Sequence, residues 1–429
     1  MLHKKHSISR AIYPRFVSPS FSSLSPIIMY SIILFLLTTS DAIMSYLSPV
    51  LIGNYVQNNF IMGCIIAFSS LVGVISDFLL PNFFRNKSYL FFIWGTVLTA
   101  LLFPSIFLFI KPSIAAFLLA MGVWGLYYEM NLFANYNVVH TFLKNEQHAA
   151  GWGIIYSFRS AAYLVGPLIV GMVSFVVERA ALYYALLFLF LSMLGFTLFP
   201  HAFTKKHQLH QSQEVPPPKE RLNTELKIWN VLFRKIWPLY LFVFSLFILD
   251  STYWTVGVLL SEQMRQAHAW GSLLLPLRTL PALFMLFLAP KLARPFGKKR
   301  IAFYSAFVSA CLLILQGFMQ NDSIFILLAF TSSLFSAIAI PEIYATFEDY
   351  MSRLGSHGND IVGLENSAGS LAYIVGPIVA GGIAALVGYR FTFTIVGIFL
   401  ALCSLTALII VPRKIKMPKK AIEHIVLSS

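Results

Sequence analysis

One pattern occurs twice in this chain. Residues 363–382 read GLENSAGSLAYIVGPIVAGG, and residues 153–172 read GIIYSFRSAAYLVGPLIVGM. Glycine opens both copies. Ala162-Tyr163 and Ala372-Tyr373 fall at one offset, and Gly166-Pro167 and Gly376-Pro377 at another. The copies lie about half a chain length apart, so the chain is built from two related halves. Each copy sits in a long apolar run. There small residues let helices approach closely and proline loosens the backbone.

The solvent of those halves follows from composition. Of 429 residues, 58% are hydrophobic and 11% charged, and the mean hydropathy is +0.76. A soluble chain carries about 25% charged residues. This one cannot cover itself with polar surface, so it is expected to lie in a lipid bilayer. About twelve apolar segments reach spanning length: 27–49, 58–80, 89–110, 113–138, 150–176, 181–200, 237–260, 269–290, 301–320, 324–346, 362–388 and 390–412. Very short turns between segments 3 and 4, 5 and 6, and 11 and 12 make those pairs antiparallel neighbours. The expected fold class is all-α, a polytopic membrane protein of two pseudo-symmetric six-helix bundles.

The net charge of +14 is a topology signal. With the N-terminus inside, the inner loops and tails hold 25 basic residues and the outer loops 4. That bias places both termini in the cytoplasm. No domain gathers the charges on one face, so nucleic acid is excluded as a partner. The divisions expected are a basic tail (1–26), a first bundle (27–200), a cytoplasmic linker (201–236), a second bundle (237–412) and a basic tail (413–429). The first apolar run is too long for a signal-peptide core and lacks a convincing cleavage site. Within the linker, Trp229, Leu232 and Phe233 are expected to rest on the membrane surface. Cys64, Cys311 and Cys403 all fall in apolar runs and read as small core residues.

Six segments, a basic linker and six more, with a repeated half, resemble the major facilitator superfamily. That family carries G-x-x-x-D-R-x-G-R-R between its second and third helices. Gly73 and Asp77 match the opening, Phe78 replaces the arginine, and Arg85 and Lys87 come later. After segment 8 the corresponding loop keeps Gly297 and the basic pair Lys298-Lys299 without the acid. An acid at a helix end facing basic neighbours can latch two helices in one state and release them in another. The stretches from Gly153 and Gly363 resemble the family's glycine-proline motif on its fifth helix, which is associated with antiporters. Gly153, Gly166, Pro167, Gly363, Gly376 and Pro377 match, whereas Ala162 replaces a glycine and Gly171 is displaced by one. They read as close-packing and bending sites. The resemblance implies a central cavity lined by segments 1, 4, 7 and 10 and open alternately to each side.

Charges inside a bilayer are costly and functional by default. Six stand out: Asp41, Glu129, Arg159, Asp250, Arg278 and Glu342. The four acids fall on segments 1, 4, 7 and 10, and the repeat relates Asp41 to Asp250 and Glu129 to Glu342. Depth along the helices, at 1.5 Å per residue, pairs Glu129 with Arg159 and Asp250 with Arg278. Asp41 and Glu342 remain without a partner, and a carboxyl group so placed takes up a proton. Asp41, with Glu342 second, is the expected coupling site, and Glu129 and Asp250 are further candidates. Drug/proton antiporters of the resembled family often carry an acid on helix 1. Trp124, Tyr128, Asn131, Asn135, Tyr253, Trp254 and Tyr344 are expected around a cavity both aromatic and polar, suited to an amphipathic organic solute. Asn131 and Asn135 lie 100–200° from Glu129 around their helix, so not all three can face it. Glu348, Asp349 and Glu365 read as interfacial. No phosphate-binding glycine loop and no metal-ligand spacing occurs, so neither ATP, a metal nor another cofactor is expected.

The reading is a monomeric secondary transporter in the plasma membrane that exchanges protons for a small organic solute, directed outward. Uptake by symport or facilitation is the alternative. A membrane enzyme or a non-transporting sensor fits less well, because the charges spread over mid-membrane depths on repeat-related segments.

Overall fold

The structure is a computed structural model that describes residues 24–84, 87–144, 147–173, 180–203, 222–354 and 358–412, with 418, 421, 422 and 425. The first half contains α1 (Ser25–Val56), α2 (Asn59–Phe84), α3 (Tyr89–Phe109), α4 (Ile114–Phe142), α5 (His148–Val173) and α6 (Ala180–Phe203). In the second half, α7 (Leu222–Thr252) runs through a π turn (Tyr253–Gly257) into α8 (Val258–Ala267), so the three form one span. A short 3-10 turn (Ala269–Leu273) leads to α9 (Leu274–Phe296), α10 (Lys298–Phe318), α11 (Asp322–Leu354), α12 (Gly358–Val387) and α13 (Tyr389–Ile410). The chain is therefore a polytopic bundle of twelve spans. Among the described residues ten stretches, one of them the joined α7–α8 span, are long and apolar enough to cross a bilayer. The set leaves out α9 and α4, which carries Glu129, Asn131, Asn135 and Asn137.

Local chemistry sets the helix ends. Ser113 caps α4 by accepting the Ala116 N–H at 3.1 Å, and Pro26 occupies the first turn of α1. Both satisfy or remove amides that have no helical partner there. Gly297 and Gly388 take φ of 83° and 85° to turn the chain sharply into α10 and α13; residues with a Cβ are strained in that region. Hydroxyls within the spans bond back one turn, as Thr96 does to the Phe92 carbonyl at 2.7 Å. That satisfies polar groups where no water is available.

The halves repeat one packing scheme. In the first, α1 packs on α5 and α6, α4 on α2 and α3. In the second, α7 packs on α12 and α13, α11 on α9 and α10. Between halves α2 meets α12 and α5 meets α9, again a repeat-related pair. The cross-contacts gather toward the end of the bundle that holds the α1–α2 connection. Gly63 lies against the Pro377 carbonyl, Gly381 against Asn59 and Gly171 against Ser272. There too the Tyr389 hydroxyl donates to Asn59 Oδ1 at 3.3 Å, and the Tyr46 hydroxyl to Ser261 Oγ at 3.2 Å.

The segment boundaries expected from hydropathy need one correction. Helix α7 begins at Leu222, inside the expected linker, because Ile228, Leu232 and Ile236 form a fully buried stripe at four-residue spacing. Leu232 therefore belongs to the core and not to the membrane surface. Residues 204–221 of the expected linker lie outside the described residues, as do the N-terminal tail to residue 23 and residues 413–417 of the C-terminal tail.

Candidate functional site

The repeated stretches build the site. Gly166 in α5 lies so close to Ala42 in α1 that an added Cβ would collide with it. Gly376 in α12 makes the same approach to Ser251 in α7. One turn earlier on each helix stands the tyrosine of the repeat, and each neighbour of the contact on the facing helix is an aspartate. The Tyr163 hydroxyl donates to Asp41 Oδ2 at 2.6 Å, and the Tyr373 hydroxyl donates to Asp250 Oδ2. The sequence repeat is thus a repeat of Asp–Tyr pairs, each held by a glycine that lets two helices touch.

The two pairs differ in charge compensation. Asp250 is bonded by Arg278 Nη2 at 2.5 Å, and that guanidinium lies 4.4 Å from the centre of the Tyr253 ring. Asp41 accepts instead from Trp124 Nε1 at 2.8 Å and from the Tyr128 hydroxyl at 3.4 Å. All its donors are neutral. A cavity of about 10 Å³ adjoins it, walled by Ser40, Phe103 and Tyr127 among others. That is room for a single water.

A larger cavity of about 620 Å³ separates the halves. Trp124, Tyr128, Glu129, Arg159 and Tyr163 line one wall. Asp250, Trp254, Arg278, Tyr344 and Tyr373 line the other. Serines 69, 70, 160, 333 and 336 add hydroxyls. Tyr163 and Trp254 meet edge to face across the gap, with ring centres 5.3 Å apart. The wall is drawn from α1, α2, α4, α5, α7, the π turn, α9, α11 and α12, more elements than the four expected. Asp41 stands behind Trp124 and Tyr128, off the main wall.

Several expected placements are corrected. Glu129 does not pair with Arg159; its carboxyl group lies beside the side chain of Asp77, and Gly73 packs on Glu129 Oε1. Asp77 thus faces an acid where basic neighbours were expected; Arg85 lies outside the described residues. Glu342 is 3% exposed and stands away from the cavity, within electrostatic reach of Lys298. Asn131 and Asn135 are buried inside the first half, where Asn135 Oδ1 accepts from the Tyr30 hydroxyl at 2.7 Å. Tyr253 is turned from the cavity and donates to Gln316 Oε1 at 3.1 Å. Glu365 is buried, beside Tyr344. Gly153 has no atom within 4 Å of the position a Cβ would take, so it is not a packing site, whereas Gly363 lies on Trp229. At the start of α10, Lys298 bonds Asp349 of α11 at 3.0 Å. The aspartates' tyrosine partners were missed from sequence, although the repeated Ala-Tyr was itself the signal.

Residues 246–426 match the family model described as Major Facilitator Superfamily. The solved structures extend the likeness to the first half. The second half thus matches the major facilitator superfamily in sequence, and the whole chain shares the fold of such transporters. A bacterial homologue of the human lysosomal transporter Spinster, in an inward-facing unoccupied conformation, aligns at TM-score 0.64 and 12% identity, over 90% of this chain and 96% of its own. The nucleoside transporter NupG aligns at 0.67 and 13%, over 91% and 100%. The human organic anion transporter MFSD10 aligns at 0.61 and 16%, over 91% and 100%. At such identities these superfamily structures speak for the fold. No curated protein matches the chain in sequence.

Proposed function

We propose that this protein is a secondary transporter of the major facilitator type: it carries a small organic solute in the cavity between its halves and exposes it to each side in turn. The observation that carries the reading is the pair of repeat-related Asp–Tyr contacts with unequal compensation. Asp250 is neutralised by Arg278, so it holds the second half together. Asp41 has only hydroxyl and indole donors within bonding distance, so a proton can come and go there without breaking an ion pair. Binding or losing that proton changes which of Tyr128 and Tyr163 must donate. Both tyrosines line the cavity, so the solute feels the change. Coupling to protons at Asp41 follows from this arrangement, with Glu129 on the cavity wall as a second candidate. The basic-residue bias supports a plasma-membrane location with both termini cytoplasmic. The glycine-proline stretch of α5 supports outward exchange.

The test is proton flux into proteoliposomes loaded with a pH-sensitive dye, challenged with amphipathic drugs, sugars, amino acids and other metabolites. One class is expected to move protons, with a sign that gives the direction, and Asp41→Asn is expected to abolish that movement. Transport by Asp41→Asn that stayed proton-dependent would exclude the coupling role. Silence across all classes, from inserted and folded protein, would count against transport itself.

A further inference from the structure

Of the four charged groups on the cavity wall, three are already engaged. Asp250 and Arg278 neutralise each other. Glu129 is turned toward α2, beside Asp77 and against Gly73, and makes no ion pair with Arg159. Arg159 is the exception. It lines the cavity at mid-helix in α5, and among the described residues it makes no ion pair. Its electrostatic neighbours are the hydroxyls of Tyr127, Tyr128, Tyr156 and Tyr163. Asp41 is within electrostatic reach, but its oxygens are taken up by Trp124, Tyr128 and Tyr163. A guanidinium cannot lose its proton and presents a planar fork of donors. Lining a membrane-embedded cavity with no carboxylate in ion-pair contact, it can receive an anion from the cavity.

We propose that Arg159 binds the anionic group of the transported solute, making the substrate class an organic anion: a carboxylate or phosphate ester joined to a planar apolar body. This rests on the transport reading above. The fork suits the two oxygens of such a group. Trp124, Trp254 and Tyr344 supply flat apolar surface on both walls for the body. The roughly 620 Å³ volume falls in the range of sites for drug-sized ligands. Arg278 does not compete, because Asp250 already occupies its Nη2.

Equilibrium binding tests this without any need for transport. The full chain is placed in phosphatidylcholine nanodiscs, and quenching of tryptophan fluorescence is followed together with the thermal midpoint. The probes are acetate, benzoate and 2-naphthoate, each against its amide, plus inorganic phosphate and sulfate. A second arm replaces part of the lipid by phosphatidylglycerol and omits soluble anions, which separates a lipid headgroup from a free solute. At least one anion is expected to bind where its neutral counterpart does not. Arg159→Gln is expected to weaken that binding by roughly 30-fold or more, as for loss of one partner of a buried charge pair. Arg159→Lys, which keeps charge but not the fork, is expected to fall between and guards against a folding defect in the glutamine variant. The proposal is overturned if no anion in either arm outperforms its neutral control, or if the glutamine variant binds as wild type does. Anion binding without flux would remove the transporter reading and leave this one. Flux of a neutral solute that ignores Arg159 substitution would do the reverse.

Discussion

At the scale of single residues, the two aspartates of the repeat should respond oppositely to the same change. Asp250→Asn leaves Arg278 charged and unpaired in the membrane interior. Removal of one partner of a buried ion pair costs about 3–5 kcal/mol, and the side chains here are 25% and 12% exposed. The thermal midpoint in detergent should drop clearly, and Arg278→Gln added on top should restore most of it. Asp41→Asn keeps Oδ1 to accept from Trp124 and can donate from its amide nitrogen to the Tyr163 hydroxyl, so its stability should change by only about 1 kcal/mol, while proton coupling is lost. A large destabilisation in Asp41→Asn, equal to that in Asp250→Asn, would mean the two pairs do the same structural job. Both aspartates were legible in the sequence, because an acid in an apolar segment has no innocent explanation. Their tyrosines were not assigned, and Glu129 was given the wrong partner, for one reason. Depth along a helix follows from residue count, but azimuth depends on how each helix is rotated against its neighbours. Glu129 and Arg159 share a depth, yet the close approach of Gly125 to the Ser69 carbonyl turns Glu129 toward α2 and Asp77.

At the scale of elements, the glycines of the repeated motif separate into two kinds. Gly166 and Gly376 are contact points between helices, and a Cβ there meets Ala42 or Ser251. Gly153 faces open space. Gly153→Ala should therefore stabilise α5 by up to about 1 kcal/mol, the usual cost of glycine in a helix interior. Gly166→Val and Gly376→Val should push α5 off α1 and α12 off α7, lowering the thermal midpoint and separating the Asp–Tyr pairs. Equal behaviour of all three variants in thermal unfolding would refute this division. The sequence shows the glycines but not which are in contact, since order and offset are the same in both cases. The π turn between α7 and α8 was also hidden. Its residues, Tyr253–Gly257, read as one more turn of an apolar helix. The turn nonetheless brings Tyr253 beneath Arg278 while Trp254 faces Tyr163. Such one-turn departures recur at functional sites.

At the scale of the whole molecule, the halves are joined at the end holding the α1–α2 connection, where Gly63 and Gly381 allow backbone against backbone. Alternating exposure requires that contact to form in one state and break in the other. A side chain at position 63 would meet the Pro377 carbonyl, which has no flexible end to yield. Gly63→Val should therefore disfavour the arrangement seen here and populate the state open at this end. Ser160, on the cavity wall, reports the difference. In a background with Cys64, Cys311 and Cys403 replaced, Ser160→Cys should react with a membrane-impermeant thiol reagent mainly from the side of the chain termini. Adding Gly63→Val should move that reactivity to the opposite side. The size of the move gives the population shift, and a tenfold change corresponds to about 1.4 kcal/mol between the two states. Unchanged sidedness in an inserted, folded Gly63→Val protein would mean that the α2–α12 contact is permanent. Exchange between the sides would then have to open somewhere else, at the α5–α9 and α1–α8 contacts that also join the halves.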